Sequence, residues 1–191
     1  MFKRSLTVAA VAAICLLPST ARADILLTPF AGLTFGGVTD TTRGMFGVAA
    51  SFTAGGIAGL DLDFGYSPSF FGDDDDADPF DPDTNMITLM ANLRLAAPLG
   101  GTEGPGVRPY VSGGVGLLRT QVDATDLFEG ITSNSWGVNV GAGVNGFFND
   151  NVGMQGEIRY FRSFDDFLED FEVDLGSFDF WRGSVGVTFR F

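Results

Sequence analysis

WGVNVGAGVNGFFNDNVGMQGEIRYF, residues 136–161, reads as two alternating strands joined by a tight turn. Trp136, Val138, Val140, Ala142 and Val144 share one phase; Gly137, Asn139, Gly141, Gly143 and Asn145 share the other. After the turn Phe148-Asn149-Asp150-Asn151 the period resumes, with Val152, Met154, Ile158 and Tyr160 opposite Gln155, Glu157 and Arg159. A period of two is the mark of a strand whose faces meet different surroundings.

The pattern recurs in six further segments. Leu27, Ala31, Leu33 and Phe35 share a face in a strand from roughly Leu26 to Phe35. Phe46, Val48, Ala50 and Phe52 alternate with Gly47, Ala49 and Ser51. Leu60, Leu62, Phe64 and Tyr66 stand against Gly59, Asp61, Asp63 and Gly65. Ile87, Leu89, Ala91, Leu93 and Leu95 oppose Thr88, Met90, Asn92 and Arg94. Val107, Val111, Val115 and Leu117 oppose Arg108, Tyr110, Ser112, Gly114 and Gly116. Last, Trp181, Val185, Val187, Phe189 and Phe191 oppose Arg182, Ser184, Thr188 and Arg190. Runs of about 10–12 residues match tilted membrane strands. The fold class expected is all-β, an eight-stranded antiparallel up-and-down transmembrane barrel.

Connection lengths alternate as such a barrel requires. Tight turns at 53–56 and 148–151 and a Gly/Pro turn at 98–106 lie on one side. Longer loops are expected on the other, near 36–44, 67–85, 119–134 and 163–179. Short periplasmic turns and long extracellular loops are the outer-membrane arrangement, and an even strand count leaves both termini periplasmic.

Alternation alone does not say which face meets solvent, since a soluble barrel buries its apolar face. Three features put the apolar face against lipid. The opposite face is mostly Gly, Ala and Ser, which suits the narrow interior of eight strands better than a solvated surface. Large aromatics gather at strand ends, with Phe35, Phe46, Phe64, Tyr66, Trp136, Tyr160 and Trp181 beside the long loops. Phe52, Phe189 and Phe191 lie at the other rim, giving two interfacial girdles. The third feature is the terminal run WRGSVGVTFRF.

That run and residues 136–161 resemble the eight-stranded OmpA-like outer-membrane β-barrel family. The resemblance spans the chain after its first residues in pattern, and these two segments in detail. It implies that the strand ending in Phe191 is read by the barrel-assembly machinery. The peptidoglycan-binding domain of OmpA itself has no counterpart after the eighth strand, so wall anchoring is not expected.

The first 23 residues read as a secretory signal peptide. Lys3 and Arg4 precede an apolar run from Leu6 to Leu17, and Ala21-Arg22-Ala23 is a small-x-small cleavage site. The run is shorter than the roughly 18–20 residues that span a bilayer. Cys15, deep within it, does not fit a lipoprotein signal. The barrel domain is therefore expected over 24–191, in the cell outer membrane of a double-membraned bacterium. All 24 acids follow the cleavage site with only eight of the 11 basic residues, a net charge of −16. No nucleic-acid partner is expected from such a balance. Histidine is absent from the chain.

Gly141-Ala142-Gly143-Val144-Asn145-Gly146 matches G-x-G-x-x-G, but a dinucleotide site needs a helix to follow and here a turn and strand follow. Asp61, Asp63, Arg94, Glu157, Arg159 and Arg182 share the inward phase, three acids against three bases. Arg108 and Arg190 fall near the periplasmic rim. Such charges must pair, because an unpaired ion in a narrow barrel costs several kcal/mol. Spacing does not identify the partners. Inward Ser51, Ser112, Ser135 and Ser184 have no nearby Lys or His as base.

No catalytic, cofactor-binding or metal residues are assigned, and no cofactor or enzymatic activity is expected. Two functions remain: a barrel serving envelope integrity or surface interaction, and a small pore for ions or small solutes. The expected partners are the bilayer and lipopolysaccharide. Asp73 to Asp76, Asp78, Asp81 and Asp83 crowd one extracellular loop; Asp165, Asp166, Glu169, Asp170, Glu172, Asp174 and Asp179 crowd another. They lack EF-hand spacing but are expected to take Ca²⁺ or Mg²⁺ weakly. On this reading Gly65→Ser should cost far less than Leu62→Arg unless the lumen is tightly packed there.

Overall fold

The computed structural model describes residues 23–37, 39–68, 84–101, 104–122, 131–164 and 178–191. Eight strands follow one another: β1 (Ala23–Gly36), β2 (Thr39–Ala54), β3 (Ala58–Ser67), β4 (Thr84–Ala96), β5 (Gly106–Val122), β6 (Ile131–Phe147), β7 (Val152–Phe164) and β8 (Asp179–Arg190). Each pairs antiparallel with its neighbours in sequence, and β1 pairs with β8 to close the barrel. Closure satisfies the backbone of every strand within the sheet, which hydrocarbon demands of any chain that crosses it.

The register fixes the stagger. From Ile25 it runs through Phe52, Leu60, Leu93, Gly113, Val140, Tyr160 and Trp181. Trp181 then meets β1 at Phe35, ten residues beyond Ile25. Strands staggered in this way tilt and leave an interior that side chains can fill.

Each alternation read from the sequence has the phase expected. Leu33, Leu62, Leu93, Val111, Val140 and Val185 stand on the exposed outer wall. Asp61, Asp63, Arg94, Arg159 and Arg182 are buried inside it.

Two expectations need correction. Residues 36–44 do not form a long loop: β1 and β2 stay paired up to Gly36↔Thr39. Gly36 and Gly37 adopt φ of 70° and 66°, a left-handed backbone that lets the chain reverse tightly. The polar run from Thr39 to Arg43 has loop-like composition but is strand, because β1 pairs with it at Thr34↔Arg43 and, past a bulge, at Gly36↔Thr39. Likewise β5 and β6 extend to Val122 and Ile131, well into the expected loop at 119–134. At Gly65 the stated exception applies, because the lumen is tightly packed there and a serine must displace the side-chain tips of Thr88 and Met45. A Cβ there would lie 2.7 Å from Thr88 Oγ1 and 2.9 Å from Met45 Cε.

The G-x-G-x-x-G run lies within β6, followed by the turn at 148–151 and then β7. No helix N-terminus stands there to receive a pyrophosphate. The acidic residues Asp73 to Asp83 and Asp165 to Asp174 fall outside the described residues.

Candidate functional site: a lumen filled in layers

Inward side chains two residues apart on one strand are neighbours on the same wall. Asp61 and Asp63 on β3 therefore form one acidic step, and Glu157 and Arg159 on β7 an opposed pair. Because β3 and β7 are four strands apart in a ring of eight, contacts between them cross the bore.

The crossing contacts are ionic. Arg159 Nη2 lies 3.5 Å from Asp61 Oδ2, and its Nη1 lies 3.7 Å from Asp63 Oδ2. Along its own strand Arg159 Nη2 donates to Glu157 Oε2 at 2.8 Å. Its Nε is also 2.8 Å from Glu157 Oε1, but off the N–H axis, so that contact is an ion pair without a hydrogen bond. Arg182 on β8 grips Asp63 with a two-pronged contact of 2.8 and 2.7 Å and reaches Glu157 Oε1 at 3.1 Å. A planar guanidinium matches a carboxylate in just this way. Arg94 on β4 lies 3.6 Å from Asp61 and stacks 3.5 Å over the Tyr110 ring.

Neutral groups take up the remaining valences. Ser51 Oγ donates to Asp61 at 2.5 Å and accepts from Arg94 at 2.9 Å. Tyr110 donates its hydroxyl to Glu157 Oε2 at 2.8 Å. Asn92 donates to Asp61, and Asn139 in turn donates to Asn92. The six inward charges of the sequence reading thus meet as one balanced network.

Above this layer, towards the long connections, the lumen turns apolar. Met86, Met90, Leu118, Phe161 and Phe180 are buried together, with Phe178 packed against them. The Phe161 and Phe180 rings stack at 4.8 Å with planes 5° apart. Arg182 is the hinge between layers, its guanidinium 4.8 Å from the Phe30 ring and 5.1 Å from Phe161. A void of about 10 Å³ remains between the layers, bounded by Thr34, Met45, Gly65, Phe161 and Arg182 among others. That is room for about one water at most.

Below the ionic layer come Thr28, Asn145 and Thr188, linked by hydrogen bonds. At the rim beside the short turns Arg108 pairs with Asp24 at 3.1 Å, and Arg190 with Asp150 at 3.4 Å. Both guanidiniums lie over the Phe147 ring.

The sequence reading missed two parts of this lumen. Arg43 is buried on the inward face of β2, a position masked by the expected loop. The apolar layer escapes because the inward phase reads as mostly Gly, Ala and Ser, with Met90 its one foreseen member. Its signal is the doublets Leu117-Leu118, Tyr160-Phe161 and Phe180-Trp181, where alternation breaks because both faces are apolar.

Ser51 and Ser112 are inward as expected, but their hydroxyls are tied to Asp61, Arg94 and Arg159. No cluster of three or more His, Cys, Asp or Glu side chains that could hold a metal occurs among the described residues.

A closed antiparallel barrel with an apolar outer wall, aromatic rims and an ionic core is an outer-membrane β-barrel. Residues 6–191 match the model of the outer membrane protein beta-barrel domain family, and the chain belongs to that family. It is an outer-membrane protein of the small OmpA-like kind. No curated protein sequence matches it.

Among solved structures it is similar to Neisserial surface protein A, with a TM-score of 0.65 and 16% identity, covering 88% of this chain and 97% of that one. It is similar also to the N-terminal barrel domain of OprF from Pseudomonas aeruginosa, with a TM-score of 0.55 and 19% identity over 89% and 100% of the two chains. A third likeness is to Ail, the attachment invasion locus protein of Yersinia pestis, solved with the heparin analogue sucrose octasulfate. Its TM-score is 0.59 and its identity 13%, over 88% and 98% of the chains. At these identities the likeness is one of fold.

Proposed function

We propose that this chain is a non-enzymatic outer-membrane barrel that contributes to envelope integrity or surface interaction. The observation that carries the reading is the filled lumen. An ionic layer crosses the bore through Asp61, Asp63, Glu157, Arg159 and Arg182, and an apolar layer covers it on the extracellular side. A conducting path for ions needs continuous polar space, which these layers replace with packed side chains. The pore reading is correspondingly disfavoured.

The remaining parts of the proposal follow from the sequence. Residues 1–23 serve as the secretory signal and 24–191 as the barrel. Val185, Val187, Phe189 and Phe191, all exposed on the outer wall of the last strand, suit recognition by the barrel-assembly machinery. The acidic loops take Ca²⁺ or Mg²⁺ weakly, in competition with salt.

Deletion of the gene from its own bacterium, with complementation, tests the reading. We expect greater sensitivity to detergents and bulky antibiotics, or weaker adherence to surfaces, with small-solute uptake unchanged. A slowed uptake of small solutes, with envelope and adherence intact, would favour the pore instead.

A further inference from the structure

The outer wall carries an exception to its apolar character. Arg119 on β5 and Arg162 on β7 point outward and are exposed, whereas every other described arginine is buried in the lumen. Among the described residues neither has an ion-pair partner. That includes Asp179, which stands opposite Arg162 in the β7–β8 register.

The register brings the two to nearly one depth. Arg119 is opposite Asn134 and Arg162 opposite Val138, four residues apart along β6. The stagger of the barrel offsets between two and three of those four residues over two strands. Their depths then differ by only about 3–4 Å along the barrel axis. Trp136 lies outward between them on β6, with Phe164 opposite it. The Tyr160 and Trp181 rings, 5.1 Å apart, continue the girdle on the next strands. Tryptophan and tyrosine settle where headgroups meet hydrocarbon. The two guanidiniums are therefore held at headgroup level, on the side of the long connections.

An arginine there requires a counter-charge or water, and the anion at that level of a membrane is the lipid phosphate. The two Cα atoms are about 16 Å apart, from two strand spacings across and four residues along. Side-chain reach lets both guanidinium forks close on one bisphosphorylated lipid, and such forks bind phosphate in two-pronged fashion.

We propose that Arg119 and Arg162, with Trp136 between them, form a docking site for the phosphorylated glycolipid of lipopolysaccharide. The inference rests on the orientation adopted above, with the long connections extracellular, and not on whether the lumen conducts.

The test is a fluorescence titration of the refolded barrel in zwitterionic micelles with purified lipopolysaccharide. The chain's two tryptophans both sit in the girdle, so binding is read directly. We expect saturable binding that weakens about fivefold in Arg119→Gln or Arg162→Gln, and about thirtyfold when both are changed, from the worth of one basic side chain near an anionic membrane surface. Dephosphorylated lipopolysaccharide should bind the natural chain as weakly as lipopolysaccharide binds the double variant. Unchanged affinity in that variant, or equal binding of the dephosphorylated form, would overturn the site and leave the arginines reaching only for water. An equal response to phosphatidylglycerol would overturn the assignment to lipopolysaccharide. Should the double variant not refold, the dephosphorylated titration of the natural chain decides alone. Conductance measured on the same preparations separates a failure of this site from a failure of the sealed-lumen reading.

Discussion

Arg182→Ala is expected to destabilise the barrel by about 3–5 kcal/mol, the cost of leaving a buried charge without its partner. The loss falls on both Asp63 and Glu157, which Arg182 holds at 2.7 and 3.1 Å, with all three side chains nearly inaccessible. It also removes a cation from between the Phe30 and Phe161 rings. Asp63→Ala alone should cost a similar amount, because Arg182 would keep only Glu157. The double variant should cost clearly less than the two singles together. Urea titrations of the folded barrel, scored by gel mobility before and after heating, measure the coupling through the double-mutant cycle. Neutral single variants would mean that water already solvates these charges.

Leu62→Arg is the complementary experiment on the outer wall. Leu62 is exposed on β3, flanked in register by Ala50 and Ala91, far from either rim. A guanidinium there faces hydrocarbon with no headgroup in easy reach, and the expected cost is about 2–4 kcal/mol. The inward arginines tolerate the same depth because carboxylates meet them. Moving one charge from the inside of the wall to the outside thus reverses its effect, which folding titrations of Leu62→Arg in lipid vesicles would show. A variant as stable as the natural chain would mean that this face does not meet lipid.

Strand number, phase and direction were legible in the sequence because a period of two survives wherever one face meets lipid. Trp136 to Val144 and Phe46 to Phe52 needed no more than that. Inward charge was legible for the same reason: Asp61, Asp63 and Arg159 stand out against small neighbours. Partners were not, because pairing across a bore depends on the stagger between strands, and that is set by turn lengths such as the two-glycine reversal at Gly36 and Gly37. Arg43 was lost because the run before it, Thr39 to Thr42, is polar throughout, so no contrast between faces reveals the strand there. The apolar layer was lost for the opposite reason. At Leu118, Phe161 and Phe180 both faces are apolar, so the contrast that reveals a strand disappears where the lumen is most tightly closed.

That closure is the centre of the account, and planar-bilayer recording of the purified, refolded barrel tests it most directly. With Arg182, Arg159 and their carboxylates spanning the bore beneath the Phe161–Phe180 stack, the natural chain should insert without stable conductance steps. Reproducible unitary steps from the natural chain would contradict the sealed lumen.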